Sequence, residues 1–209
     1  MTGPAVGRLI ALEGVDGCGK STQARRLAAH LGALATFEPG ATALGRTLRQ
    51  LVLHADRAGP TGRAEALLLA ADRAQHVDEV LRPALLAGRW VVTDRYSGST
   101  LAYQGWGRQL GADELRPLVD WAAGGLWPDL SVLVDVPLDE ARRRNAPSDP
   151  DRLERLDPEF FDRVRRGFLA EAGADPEHWA VVDGCGTEDE VGGRIEAEVR
   201  SRLGWPAAR

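Results

Sequence analysis

The sequence predicts an α/β protein built on a parallel sheet, and three observations carry that reading. Five short apolar runs recur along the 209 residues, separated by longer segments with helical spacing, which is the alternation of strand and crossover helix. The first run, Leu9–Leu12, is continuously apolar, as suits a strand covered on both faces. A glycine-rich turn follows that run directly and leads directly into a helix.

The elements follow in order. Met1 to Gly7 is a small, polar lead without periodicity and is expected to fray. The first strand stops at Glu13-Gly14, and the helix after the turn runs through Leu31. Leu34–Phe37 is the second apolar run; Leu44, Leu48, Leu51 and Val52 then share one helical face, as do Val77, Leu81, Ala84 and Leu85. Pro83 is expected to kink or end a turn. Trp90–Thr93 and Leu130–Val136 supply the third and fourth runs. Asn145–Asp151 has turn residues and no apolar face, so it reads as a mobile loop. Asp157 before Pro158 is an N-cap followed by proline at the first helical position, launching Phe161, Val164 and Phe168. After the last run, Trp179–Val182, Thr187 with Glu190 forms a capping box that launches Val191, Ile195 and Val199. No repeat or linker interrupts the chain, so one domain over 1–209, with its core in 8–203, is expected.

Composition narrows the function classes. Hydrophobic residues make up 44% and charged residues 27% of the chain, inside the globular range. The formal charge of −5 gives no reason to expect nucleic acid or an anionic membrane as partner. Arg and Asp interrupt every Leu/Ala-rich run, so no membrane span is expected. Two cysteines, Cys18 and Cys185, are too few for a disulfide framework, and no leader opens the chain, so a cytoplasmic setting is expected. Of the 26 basic residues only one is lysine, Lys20, which marks its position as one that needs an ammonium group.

That lysine lies in Gly14-Val15-Asp16-Gly17-Cys18-Gly19-Lys20-Ser21, a Walker A pattern in the strand-turn-helix context it requires. Glycines let successive backbone N–H groups turn onto phosphate oxygens, and the helix N-terminus favours the negative charge. Lys20 is expected to reach the β and γ phosphates, and the Ser21 hydroxyl to face Mg²⁺. With Thr22, these residues are the candidate ATP or GTP site. The fold expected is the P-loop NTPase fold: a five-stranded parallel sheet flanked by helices in a three-layer sandwich. Cys18 reads first as a small residue filling the loop, with a thiol made oxidisable by the nearby helix N-terminus as the alternative. The four histidines show no metal-ligand spacing and receive no role.

Beyond the phosphate loop, several stretches in order resemble the motifs of bacterial thymidylate kinases: Glu13–Thr22, Glu38-Pro39-Gly40 with Thr42, Asp72-Arg73, Asp94-Arg95-Tyr96, Ser99-Thr100-Leu101-Ala102-Tyr103-Gln104-Gly105, Pro128-Asp129-Leu130 and Asp151-Arg152-Leu153-Glu154. The resemblance implies phosphorylation of dTMP to dTDP by MgATP. A nucleoside monophosphate, whose second phosphate pKa is about 6, is mostly dianionic at neutral pH and needs no catalytic base. The chemical difficulty is to bring two polyanions together, which calls for guanidinium groups; Arg49, Arg73 and Arg95 are candidates.

The resemblance also implies residue roles. Asp94 would stand near Mg²⁺, Arg95 would grip the acceptor phosphate with help from Arg49, and Asp16 would contact the acceptor sugar or a metal-bound water. Arg73 would hydrogen-bond the thymine carbonyl, Thr100 and Gln104 would line the base pocket with Pro39 and Leu69, and Tyr103 would crowd out a ribose 2′-hydroxyl. A lid over about 142–156 would carry the arginine that stabilises the transferring phosphoryl. Its loop proper has no basic residue, so of the flanking Arg142, Arg143, Arg144 and Arg152, Arg143 and Arg152 are the candidates. A homodimer through the helices after the second and third strands is implied too. Phe37 and Leu69 depart from the family's usual Arg and Phe, which leaves a kinase for another pyrimidine nucleotide as the alternative, with a nucleotide-dependent switch behind it.

Overall fold

In the computed structural model, which describes residues 7–54, 59–145 and 151–205, five parallel strands form one sheet in the order β2-β3-β1-β4-β5. They are β1 (Leu9–Glu13), β2 (Leu34–Phe37), β3 (Val91–Asp94), β4 (Leu130–Asp135) and β5 (Trp179–Asp183). All five expected strands are present within a residue or two of their expected ends. The expectations for residues 1–6 and for 146–150 of the loop lie outside the described residues.

Burial explains the central strands. Leu9, Ile10, Ala11 and Leu12 are all fully buried because their side chains enter opposite faces of the sheet. Leu9 and Ala11 pack with Val77, Leu81 and Ala84, whereas Ile10 and Leu12 belong with Ala24, Leu27, Ala28 and Leu31 of helix α1 (Lys20–Leu31). The sheet is thus sandwiched between helical layers. The edge strands differ: β2 and β5 alternate between more and less covered positions, and Phe37 at the end of β2 is half exposed.

The other helices among the described residues are α2 (Ala43–Leu53), α3 (Gly62–His76), α4 (Arg82–Leu86), α5 (Ser97–Thr100), α6 (Ala112–Ala123), α7 (Leu138–Arg144), α8 (Pro158–Ala174) and α9 (Glu188–Leu203). The expected caps form: Asp157 accepts a hydrogen bond from the Phe160 N–H, and Thr187 and Glu190 make the reciprocal capping box. Two expectations need correction. Leu48 and Val52 of α2 are buried, but Leu44 and Leu51 remain about half exposed, because the neighbouring helix α3 covers only part of the stripe. Pro83 does not end its helix. Without an N–H it cannot close the regular turn, and the chain widens into a π-helical stretch, Val77–Leu81, before continuing as α4.

A second π-helical stretch, Leu101–Gly107, follows α5. Such widened turns often mark functional sites, and this one carries Tyr103 and Gln104. Its anchor is α8, whose Phe160 and Phe168 meet the Tyr103 ring edge-on, each with centroids 6.1 Å apart. Gly107 lies so close to Phe160 that a Cβ there would stand 2.6 Å from the ring.

Candidate functional site

The carboxyl ends of β1, β2 and β3 deliver the chemistry, as expected for an open α/β sheet. After β1, the phosphate loop turns on glycines with positive φ: 143° at Gly14, 83° at Gly17 and 94° at Gly19, the N-cap of α1. A side chain at Gly17 would also meet the Ala141 carbonyl oxygen at 2.1 Å, so α7 pins the loop from behind. At Gly19 nothing lies within 4 Å of where a Cβ would stand, so the surface over the α1 N-terminus is open. Lys20 is buried against the loop, its Nζ donating to Val15 O (3.3 Å) and lying 3.4 Å from Asp16 Oδ1.

Asp16, Gly17, Cys18, Gly19, Lys20, Ser21 and Thr22 line one cavity together with Arg144, Asn145, Glu154 and the β5–α9 loop from Gly184 to Glu188. Gly14 and Val15 lie behind it: a Cβ on Gly14 would run into Cys18 Sγ and the Val134 carbonyl, both at 2.8 Å. Cys18 follows its reading as a small residue filling the loop rather than the reactive alternative. Its thiol is buried, and burial pushes its pKa up despite the nearby Lys20 charge. The helix terminus does not produce a reactive thiolate there.

A second cleft lies beside the first. Asp16, Pro39, Arg49, Leu69, Arg73, Arg95, Thr100, Tyr103 and Gln104 all line it. Asp16 borders both cavities. Arg95, in the left-handed region with φ 71°, aims its guanidinium at Asp16 Oδ1 (2.5 Å), Gly14 O (3.1 Å) and Ser99 Oγ (3.0 Å), with Tyr103 OH 3.1 Å away. Left-handed backbone at a non-glycine residue costs energy and persists where the surroundings hold it. Here the fully buried Glu13 does so, accepting from the Tyr96 N–H, the Ser99 N–H and the Ser99 hydroxyl. Tyr103 donates to Asp16 Oδ2 at 2.8 Å. Burial would raise the Asp16 pKa, but the Arg95 and Lys20 charges and the two hydrogen bonds prevail and hold it well below the carboxylate range.

The side of the cleft that holds Arg73 and Thr100 is a chain of buried polar groups. Arg73 gives Nε and Nη2 to Glu38 Oε2 (3.0 and 2.8 Å) and Nη1 to Thr100 Oγ1 (3.1 Å). The other Glu38 oxygen faces His76 Nδ1 at 2.9 Å, and His76 Nε2 faces Thr36 Oγ1 at 2.7 Å. Neighbouring Asp72 accepts from Gly40 N (3.0 Å); burial, then the Glu38 charge, push its carboxyl up to about 6. Arg49 donates to Pro39 O (2.8 Å).

The flanking arginines separate. Arg143 is exposed and paired with Glu140. Arg152 pairs with the fully buried Glu65 of α3 and donates to the backbone oxygen of Val52, a residue that lines the second cleft. Arg144 is the arginine among the described residues that lines the phosphate-loop cavity, held by Glu140 (2.6 Å) and Gly184 O (2.9 Å). Glu65 was not named from the sequence, while Arg144, Glu38 and Asp72 were named there without a site role and His76 was assigned none. One signal was readable: residues 65, 69, 72, 73 and 76 share a helical face, and on α3 that polar face is the buried one while Leu67 is exposed.

Oxygen groups that could face a metal are the Ser21 hydroxyl, in the phosphate-loop cavity, and the Asp94 carboxylate, whose Oδ1 is buried without a hydrogen-bond partner among the described residues. Oxygen donors in small number suit Mg²⁺, which takes its remaining ligands from phosphates and water. No cluster of three potential ligands among His, Cys, Asp and Glu occurs in the described residues, and a phosphate-bound Mg²⁺ requires none.

Comparison with known proteins agrees with this geometry. The thymidylate kinase family model matches residues 12–195. A thymidylate kinase from Bordetella petrii is 47% identical over 208 residues, covering 97% of this chain and 99% of that protein. One from Cereibacter sphaeroides is 47% identical over 201 residues, covering 91% and 93%. The crystal structure of thymidylate kinase from Ehrlichia chaffeensis superposes with a TM-score of 0.75 at 27% identity, covering 93% of this chain and 99% of that one.

Proposed function

The chain belongs to the thymidylate kinase family, and from that premise we propose that it transfers the γ-phosphoryl group of ATP to dTMP, with the donor on the phosphate loop and the acceptor in the adjoining cleft. The observation that carries the assignment of the two cavities is that both border Asp16, so the phosphates of two nucleotides converge at one point. In-line transfer then rests on positioning and charge stabilisation. Backbone N–H groups and Lys20 hold the donor phosphates. Arg95, already oriented by Asp16, Ser99 and Tyr103, grips the acceptor phosphate, with Arg49 beside it. Arg73 and Thr100 face the base, and Tyr103 closes the sugar side.

Ser21 and Asp94 would hold Mg²⁺, which when bound neutralises charge on the donor phosphates. Arg144 lines the donor cavity and is the better placed of the 142–144 arginines to meet the transferring group; Arg152 acts from the acceptor side through Glu65. The chain is read as one domain over 1–209 with a lid over about 142–156. It is read as a cytoplasmic homodimer through the helices after β2 and β3, supported by the exposed Leu51, Leu67 and Trp121 on α2, α3 and α6; no described helix is long and apolar enough to cross a membrane. Sedimentation velocity tests the dimer, which a single 22.5 kDa species would overturn.

The direct test is ADP release from MgATP with dTMP, dUMP, dCMP and dGMP, against a Lys20→Ala control. Strong dTMP dependence lost in the control is expected. Another preferred acceptor would reassign the cleft, and acceptor-independent release would overturn the transfer reading.

A further inference from the structure

Glu65 lies behind the acceptor cleft rather than in its wall. It is fully buried on α3 and accepts a hydrogen bond from Gln104 Nε2 (2.8 Å), two from Arg108 (Nε 3.3 Å, Nη2 2.9 Å) and one from Arg152. Burial alone would raise its pKa, but those hydrogen bonds prevail and lower it, so it is an anion at neutral pH. An ionised carboxylate only accepts hydrogen bonds. It therefore dictates which end of the Gln104 amide faces it: the NH₂ group turns to Glu65, and the oxygen is left on the other side. That oxygen, Gln104 Oε1, is buried and without a partner among the described residues, on a side chain that lines the cleft. A buried acceptor left unpaired is destabilising, a cost that a ligand N–H removes and a ligand lone pair increases.

We propose that Glu65 is a specificity-determining positioning residue: by locking the Gln104 amide with its oxygen toward the cleft, it makes the site select a pyrimidine whose ring N3 carries hydrogen and reject one whose N3 carries a lone pair. Thymine and uracil are of the first kind and cytosine is of the second. The proposal rests on reading this cleft as the acceptor-base site and deepens it. Arg108 and Arg152 keep the carboxylate charged, and Arg73, with Nη1 on Thr100, supplies donors beside the same base edge.

The test measures kcat/KM for dTMP and dCMP with the full-length parent, Glu65→Gln and Glu65→Asp, with folding followed by thermal melting. In Glu65→Gln, Arg108 and Arg152 claim the new amide oxygen. The new NH₂ then faces Gln104, whose own amide rotates and shows NH₂ to the cleft. The dTMP:dCMP ratio is expected to fall about tenfold or more, through a rise for dCMP as well as a loss for dTMP. Glu65→Asp keeps the charge but draws the carboxylate back by one methylene, and a fall of about threefold is expected; it carries the test should Glu65→Gln fail to fold. Equal losses for both acceptors in a folded variant, leaving the ratio unchanged, would reduce Glu65 to a structural role and overturn the proposal. A parent that does not prefer dTMP to dCMP would instead overturn the reading of the cleft.

Discussion

The two adjoining cavities are built by different means. The donor cavity is lined by one contiguous stretch, Asp16 to Gln23, completed by Arg144, Asn145, Glu154 and residues of the segment after β5. Its side-chain demands are few: glycine where φ is positive, and one ammonium. The acceptor cleft draws side chains from the loops after β1, β2 and β3, from α2, α3 and α5, from the π-helical stretch after α5, and from Asp151 and Leu153. There most polar groups are held by another side chain: Arg73 by Glu38, Glu38 by His76, Arg95 by Asp16, Gln104 by Glu65. Backbone suffices to hold a phosphate, which looks alike on every nucleotide, whereas recognising one base takes a fixed set of donors and acceptors.

The contrast yields graded tests. Lys20→Ala removes the donor cavity's ammonium, and kcat is expected to fall about 10³-fold with KM for dTMP within about threefold of the parent; a change confined to the dTMP KM would break the division of labour. Gly17→Ala attacks the backbone itself, through both φ and the Ala141 carbonyl. A misplaced loop is expected to cost about 10²-fold in kcat, with weaker ATP binding by calorimetry. Arg144→Ala is expected to lower kcat at least about tenfold, and exposed Arg143→Ala less than about twofold. Steady-state kinetics that rank them the other way would return the role to Arg143.

The smallest expected effect probes the cost of burying charge around the base. Asp72 binds its proton more tightly in the folded protein, at about 6, than in the unfolded chain, at about 3.9. The stability it contributes is therefore full below about pH 4 and lost as pH rises to about 6. Asp72→Asn keeps an acceptor for the Gly40 N–H and removes the charge. It is expected to stabilise the protein by about 1–3 kcal/mol at pH 8 and by nothing near pH 4. Melting curves across that range check it, and a gap that fails to close on acidification would locate the benefit elsewhere.

Legibility in the sequence follows the same division. The phosphate loop was readable because its requirements are local: glycine, lysine and serine at fixed spacing between a strand and a helix. The wall of the acceptor cleft was reached through resemblance, whereas its supports received no role: Glu38 and Asp72 appeared only as members of motifs, and Glu65 and His76 read as ordinary polar residues until the fold buries them, α3 hiding the signal by turning its polar stripe inward and leaving Leu67 outside. Arg143 and Arg152 were chosen over Arg144 because spacing along a chain does not say which of three adjacent helical side chains faces a cavity.

The sequence by itself determined the strands, the caps at Asp157 and Thr187, the glycine turn and the place of Lys20. Each depends on residues within one or two turns of one another, where backbone dihedral preference and apolar period decide. Only the tertiary structure decided which arginine meets the donor cavity, that Cys18 is buried with its thiol pKa raised, and that a carboxylate on α3 orients the Gln104 amide 39 positions away. Those outcomes depend on desolvation and on partners brought together from distant segments, and neither exists until the chain has folded.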